Sequence, residues 1–321
     1  MIEAMWPEFR AIVEKDRASG RPGLEELSIA DAREVMAAAL VRWGGAGPEM
    51  GSITERAAVT SDGEIPITFY VPEGPTQPLP VLAYVHGGGF ILGSVRTHDS
   101  LVRALAAAGC MIVASIEYER APESRFPGPP AQCLGAVGWI RDHARELGGD
   151  PGRVAIAGDS SGATIAATVC LLMRDLGVPP LVAQCLLYPP LTRACDTPSW
   201  GRCGTGHFLN RTTMRWFWDL YLQAGRDAAL AEPLHAADLR GLPPTLLLLP
   251  GLDPLVDEGK AYAARLGESG VEVQTIHRPG AIHGYLGMGG ISPRARDDLG
   301  MVGARIEALI SASPAAPHPA M

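Results

Sequence analysis

Two serines stand side by side between glycines in RVAIAGDSSGATIAATV, residues 153–169. A serine hydroxyl attacks a carbonyl only if a base takes its proton and a sharp turn exposes its oxygen. The strand-to-helix elbow that does this reads G-x-S-x-G, because larger neighbours would block the approach. Gly158, Ser160 and Gly162 satisfy that frame. For Ser161 to satisfy it, glycines would be needed where the chain has Asp159 and Ala163. The frame therefore selects Ser160. A serine N-cap on an ordinary crossover helix gives a similar pentapeptide, so Ser160 needs partners elsewhere in the chain. Ser161 has a different use: its backbone N–H, at the helix start, is placed to donate to the oxyanion that forms when Ser160 attacks.

HGGGF at 86–90 follows an apolar run, and its three glycines let backbone N–H groups approach a substrate closely. A phosphate-cradling loop would need G-x-G-x-x-G or G-x-x-x-x-G-K, and neither occurs there. Gly88 and Gly89 are the expected further oxyanion donors, with Gly87 shaping the turn and His86 in a structural role. An acid and a base should then follow in the order Ser, acid, His. TLLLLPGLDPLVD supplies Asp253 just beyond an apolar run; Asp257 competes, but past Pro254 it fits the first turn of the next helix, where an acid favours the dipole. Of the later histidines, His277 lies within a strand pattern and His318 in the tail. His283, in PGAIHGY directly after the last strand, is the expected base.

Elements that could position these groups are visible in the hydrophobic pattern. Trp6, Phe9 and Val13, then Val35, Met36, Ala39, Leu40 and Trp43, recur at helical spacing, so the first 45 residues read as helices with an apolar stripe to cover something. ITERAAVT, a turn at SDGE and IPITFYV read as a hairpin. Apolar runs at 79–86, 110–118, 153–158, 181–188, 245–251 and 272–277 then alternate with helical patterns, the signature of a parallel sheet buried on both faces. After the elbow, Ile165, Val169, Leu172, Met173 and Leu176 predict one helical face ending at Gly177. The stretch between Tyr188 and Thr245 exceeds an ordinary crossover and carries CGTGHFLN and the aromatic TTMRWFWDLYL, so about 190–235 is expected to be an insertion. Residues 311–321, small and proline-rich, are expected to be a disordered tail.

The chain of 321 residues fits one large α/β domain with an insertion. A formal net charge of −8 without runs of like charge offers no basic footprint for nucleic acid or anionic lipid, so a small molecule is the expected partner. No apolar run reaches the roughly 18 residues of a membrane span. MIEAMWPEFR has acids and a proline where a signal peptide needs a basic start, and a cytoplasmic location is expected. The six cysteines lack C-x-x-C spacing and are expected to be free thiols; Cys195 and Cys203 share a loop-like region, but a reducing compartment argues against a bridge. No H-E-x-x-H or cofactor motif is present, so neither metal nor cofactor is expected.

Taken together, HGGGF, GDSSG, DPLVDEG and HGY resemble, in order and spacing, the hormone-sensitive-lipase-like family of α/β-hydrolase esterases, over roughly residues 50–310, and YERAPESRFP at 118–127 resembles that family's segment after the oxyanion loop. The resemblance implies an α/β-hydrolase fold: a mostly parallel eight-stranded sheet, helices on both faces and a helical cap. The cap would combine residues 1–45 with the insertion, on a catalytic domain spanning 46–310. It implies Ser160, Asp253 and His283 as triad, Gly88, Gly89 and Ser161 as oxyanion hole, and a serine carboxylesterase acting on short- to medium-chain acyl esters. Phe90, Phe208 and Trp216 are the candidate pocket residues, and a homodimer is possible on this scaffold. Two departures touch pocket shape: Ser161-Gly162-Ala163 replaces the family's alanine and two glycines, and Glu119-Arg120 replaces its Arg-Leu. Acyl transfer, lactone or amide hydrolysis by the same groups, or ligand binding without catalysis, are the alternatives.

Overall fold

The computed structural model describes residues 5–74, 78–223 and 229–314. At its centre lies one eight-stranded sheet in the order β1-β2-β4-β3-β5-β6-β7-β8. The strands are β1 (Ser52–Thr60), β2 (Gly63–Val71), β3 (Leu79–Val85), β4 (Ile112–Ile116), β5 (Gly149–Asp159), β6 (Gln184–Leu187), β7 (Thr245–Leu252) and β8 (Val273–Ile282). β1 and β2 form the expected hairpin and β2 runs antiparallel to β4, while every pairing from β4 across to β8 is parallel.

The strand sequences are apolar throughout because both faces are covered. Along β3, Val81, Ala83 and Val85 belong to one core and Leu82 and Tyr84 to the other; in β7, Leu247 and Leu249 oppose Leu246 and Leu248 in the same way. A period of two with apolar residues on both sides is what a doubly covered parallel sheet requires. Helices α4 (Gly128–His143), α5 (Ser161–Asp175) and α8 (Val256–Glu268) fill the first core, and α3 (Asp99–Gly109) packs with α9 (Pro293–Ala312) over the second. On α5 the expected face is buried at Ile165, Val169 and Met173 and half-buried at Leu172, but Leu176 is 65% exposed, because α5 stops at Asp175 and Gly177, at φ 68°, turns the chain away. α9 continues through 311 and 312, so the tail begins later than its composition predicts; residues 315–321 lie outside the described residues.

The N-terminal helices divide their work. α1 (Pro7–Ser19) starts on a proline and ends at Gly20 in the left-handed conformation. Its apolar stripe packs on the body: Phe9 is fully buried between Trp6 and Tyr285, at ring distances of 5.7 and 6.1 Å, and the Trp6 N–H donates to Gly280 O at 3.0 Å. α2 (Ile29–Gly44) is capped by Ser28, which accepts the Asp31 N–H at 3.1 Å. Met36 and Trp43 pack inward, but Val35 is 45% exposed, so the buried strip of α2 is narrower than the helical spacing suggests.

Arg33 anchors α2. Its Nε donates to Ile91 O at 2.9 Å, its Nη2 to Ala121 O at 3.0 Å, and its guanidinium grips both Glu123 oxygens at 2.8 and 2.7 Å. Hydrogen bonds from Arg33 hold the Glu123 carboxyl down at about 2, against an ordinary 4.5. A depressed carboxyl contributes stability that is present above its ordinary value and lost as pH falls from there towards 2. Glu123 is 60% exposed, so solvent screens most of that contribution. The carbonyls are the costlier partners to abandon. Urea unfolding is expected to show Arg33→Ala destabilised by about 1–3 kcal/mol, with Glu123→Gln within about 0.5 kcal/mol of the parent protein. Equal losses from the two substitutions would mean that the carboxylate, not the carbonyls, holds α2.

Between β6 and β7 the insertion contributes α6 (Pro198–Cys203) and α7 (Arg211–Tyr221), the latter capped by Asn210, which accepts the Thr213 N–H at 2.8 Å. It meets the N-terminal segment directly. Thr213 Oγ1 donates to Glu25 Oε2 at 2.7 Å, and the Trp43 and Phe208 rings lie edge to face at 5.6 Å. All six cysteines are free thiols. Among the described residues no helix is long and apolar enough to cross a membrane.

Candidate active site

Every group singled out for chemistry lies at the carboxyl edge of the parallel strands. Gly88 and Gly89 follow β3, Ser160 follows β5, Asp253 follows β7 and His283 follows β8, where open α/β sheets place their ligands.

Ser160 occupies the elbow with φ 50° and ψ −126°, a backbone conformation that costs roughly 1–3 kcal/mol for a residue with a side chain. Its N–H donates to Leu187 O at 2.8 Å and its carbonyl accepts the Ala163 N–H at 2.9 Å, so both flanks hold the turn. The flanking glycines are packing requirements. A Cβ at Gly158 would run into the Gly162 backbone, and one at Gly162 into the carbonyl oxygens of Val85 and His86. The start of α5 thus presses against the end of β3.

Ser160 Oγ lies 2.9 Å from His283 Nε2, and His283 Nδ1 lies 2.8 Å from Asp253 Oδ2. An ionised carboxylate only accepts, so Nδ1 carries the proton and donates to Asp253, leaving Nε2 to accept from the Ser160 hydroxyl. Asp253 is fully buried, and its other oxygen accepts the Leu255 N–H at 2.9 Å. Asp257 stands in the first turn of α8, paired with Arg202 at 3.0 Å. His277 is exposed on β8, and His318 lies outside the described residues. Next to Asp257, the buried Glu258 accepts the Leu191 and Thr192 N–H groups at 3.3 and 3.1 Å, tying the start of the insertion to α8; burial raises its carboxyl well above the usual range.

The loop after β3 is built on glycine conformations. Gly88 has φ 122° and Gly89 φ 61°, and Gly88 O accepts the Ile91 and Leu92 N–H groups at 3.2 and 2.7 Å. Arg120, one of the two departures before Ala-Pro-Glu, donates to Gly93 O at 2.6 Å and so braces the same loop. Among the described residues, no protein acceptor meets the N–H of Gly88, Gly89 or Ser161. His86 is fully buried, stacks on Tyr118 at 4.4 Å and faces Gly87 O through Nδ1 at 3.0 Å; burial and then the neighbouring His98 push its imidazole down to about 3, keeping it neutral.

The three aromatic residues expected to line the pocket sit in different surroundings. Phe90 is fully buried and stacked on Tyr221 at 3.9 Å. Trp216 is half-buried against Phe217 at 5.2 Å. It is Phe217 that covers Gly89, where an added Cβ would strike its ring; adjacent positions on a helix point about 100° apart, and α7 turns this one inward. Phe208 does lie beside the base, 3.8 Å from the Cβ position of Gly284. Tyr188, which no motif or spacing singles out, sets its ring edge to face with His283 at 5.2 Å.

Residues 82–287 match the family described as the alpha/beta hydrolase fold. The chain is 38% identical over 253 residues to carboxylesterase NlhH of Mycobacterium tuberculosis, covering 77% of this chain and 79% of that one. It is 34% identical over 310 residues to an ethyl acetate hydrolase of Pseudomonas putida, covering 94% and 96%. Among solved structures, LAE6, an α/β-hydrolase enzyme from the metagenome of Lake Arreo, superposes with a TM-score of 0.90 at 35% identity, over 95% of this chain and 98% of that one.

Proposed function

Because the chain belongs to the hormone-sensitive-lipase-like family of α/β-hydrolases, a family of carboxylic ester hydrolases, we propose that it hydrolyses short- to medium-chain carboxylic esters through an acyl-enzyme on Ser160. The observation that carries this is the continuous Ser160–His283–Asp253 relay, with contacts of 2.9 and 2.8 Å, at the carboxyl edge of the sheet. His283 Nε2 takes the hydroxyl proton as Ser160 Oγ bonds to the ester carbon. Asp253 stabilises the imidazolium, and the N–H groups of Gly88, Gly89 and Ser161 receive the charge on the carbonyl oxygen. Collapse of the tetrahedral species expels the alcohol, which takes the proton from His283. Water then repeats the sequence and frees the acid. Rates for esters, lactones and amides, measured with the parent protein and with Ser160→Ala, test the reaction class.

Residues 24–44 and the insertion act together as a cap in this proposal, supported by the Thr213–Glu25 bond and the Trp43–Phe208 contact. A roof of that kind limits acyl length. The expected optimum in kcat/KM is an acyl group of roughly two to eight carbons, with each added CH₂ contributing about 0.8 kcal/mol, close to fourfold, until the pocket is full. A series of p-nitrophenyl esters of rising chain length checks this. An optimum beyond about twelve carbons would contradict a closed pocket and indicate a true lipase.

A further inference from the structure

Asp159, the residue between the elbow glycine and Ser160, is buried at 7% exposure, and nothing in the proposed chemistry uses it. Its Oδ1 accepts the Tyr84 hydroxyl at 2.8 Å and the Gly87 N–H at 2.9 Å, and lies 3.3 Å from His98 Nε2. One carboxylate oxygen therefore links the residue covalently bonded to Ser160 with the residue directly before Gly88 and Gly89. The contact is close enough to dictate residue type at 87, since a Cβ there would sit 2.5 Å from Asp159 Oδ2. His98 is held on both sides of its ring: Nε2 faces Asp159 Oδ1 at 3.3 Å, and Nδ1 lies 2.9 Å from Thr97 Oγ1 and 3.1 Å from Ser94 O.

We propose that Asp159 is a positioning residue that holds the oxyanion loop in register with the nucleophile, with His98 as its charged partner. This rests on the esterase reading of Ser160 above. A charge-assisted bond to Gly87 N–H is stronger and shorter than a neutral one, and it fixes the plane of the peptide from which the loop turns towards the crevice. The loop's donors act only once charge develops on the substrate oxygen, so misplacing them costs transition-state stabilisation and leaves ground-state ester binding alone. The local electrostatics agree with the geometry. Burial works against both charges, yet the pair outweighs it: the Asp159 carboxyl is held below its usual value by His98, Tyr84 and Gly87, and the His98 imidazole is raised by Asp159.

The test compares the parent protein with Asp159→Ala and Asp159→Asn on p-nitrophenyl acetate and butyrate, with kcat normalised to sites titrated by a phosphonate, and with Ser160→Ala, whose turnover is taken per mole of protein. For Asp159→Ala, kcat per titrated site should fall roughly 10- to 100-fold, less than outright loss of an oxyanion donor. KM should stay within about threefold, and a trifluoromethyl ketone, which forms a tetrahedral adduct, should bind more weakly by the same factor as kcat/KM. Asp159→Asn keeps an acceptor but no charge and should lose roughly 3- to 10-fold in kcat at unchanged KM; it carries the test if the alanine variant does not fold. Unchanged kcat per site, or a loss confined to KM, overturns the proposal and leaves Asp159 a structural hydrogen-bond acceptor. Turnover persisting in Ser160→Ala would instead overturn the esterase reading on which the proposal rests.

Discussion

Ser160→Ala is expected to lower kcat by a factor on the order of 10⁶, as removal of the nucleophile does in serine-protease triads, whereas Ser161→Ala should keep activity within a few-fold. The two hydroxyls are neighbours in sequence but not in environment. Ser160 Oγ reaches His283 Nε2 at 2.9 Å, while the Ser161 hydroxyl is fully buried and has no hydrogen-bond partner among the described residues. Alanine at 161 retains the backbone N–H proposed for the oxyanion hole. It also removes an unsatisfied buried hydroxyl, so its stability should be unchanged or slightly higher. Initial rates on a short-chain ester, with thermal unfolding of both variants, check the pair. Comparable losses from the two substitutions would mean that the Ser161 hydroxyl takes part in the chemistry.

Asp253→Asn should cost on the order of 10⁴ in kcat, by the same analogy. The carboxylate is fully buried and accepts the His283 Nδ1 proton at 2.8 Å. An amide in its place presents an NH₂ group to Nδ1 or leaves it unpaired. Either favours the tautomer with the proton on Nε2, which then cannot accept from Ser160. Asp257→Asn, by contrast, removes only a partly exposed pair with Arg202 and should leave kcat within about twofold. Steady-state kinetics of both variants decide between the two acids, and a reversed ranking would make Asp257 the group that orients the base.

How far this site was visible beforehand follows from which constraints are local. The elbow is written in five consecutive residues because Gly158 and Gly162 are excluded from bearing side chains by contacts close in sequence or directly across β3. Asp253 and His283 could be placed because each directly follows a strand, and strand order brings those ends together. The two-sided sheet was equally legible from its continuous apolar runs.

Side-chain direction at the cap was not. Trp216 and Phe217 both fit an aromatic helix, and only packing against Gly89 distinguishes them. Phe90 lies next to Gly88 and Gly89 in sequence, yet its positive φ and its stack with Tyr221, a residue of the distant insertion, are not written in that spacing. Helical spacing likewise proposed Val35 and Leu176 as covered positions. The first is exposed because Arg33 and Met36 define a narrow seat for α2, the second because α5 has already ended. The Asp159–His98 pair joins residues far apart in the chain, and no spacing rule could connect them.

Reacting the protein with a p-nitrophenyl alkylphosphonate and mapping the adduct by peptide mass spectrometry tests whether Ser160 is the nucleophile. One phosphonyl group per chain is expected, on Ser160, with ester hydrolysis lost in proportion to labelling and no adduct formed in Ser160→Ala. An adduct on Ser161, or labelling and activity that persist in Ser160→Ala, would contradict it.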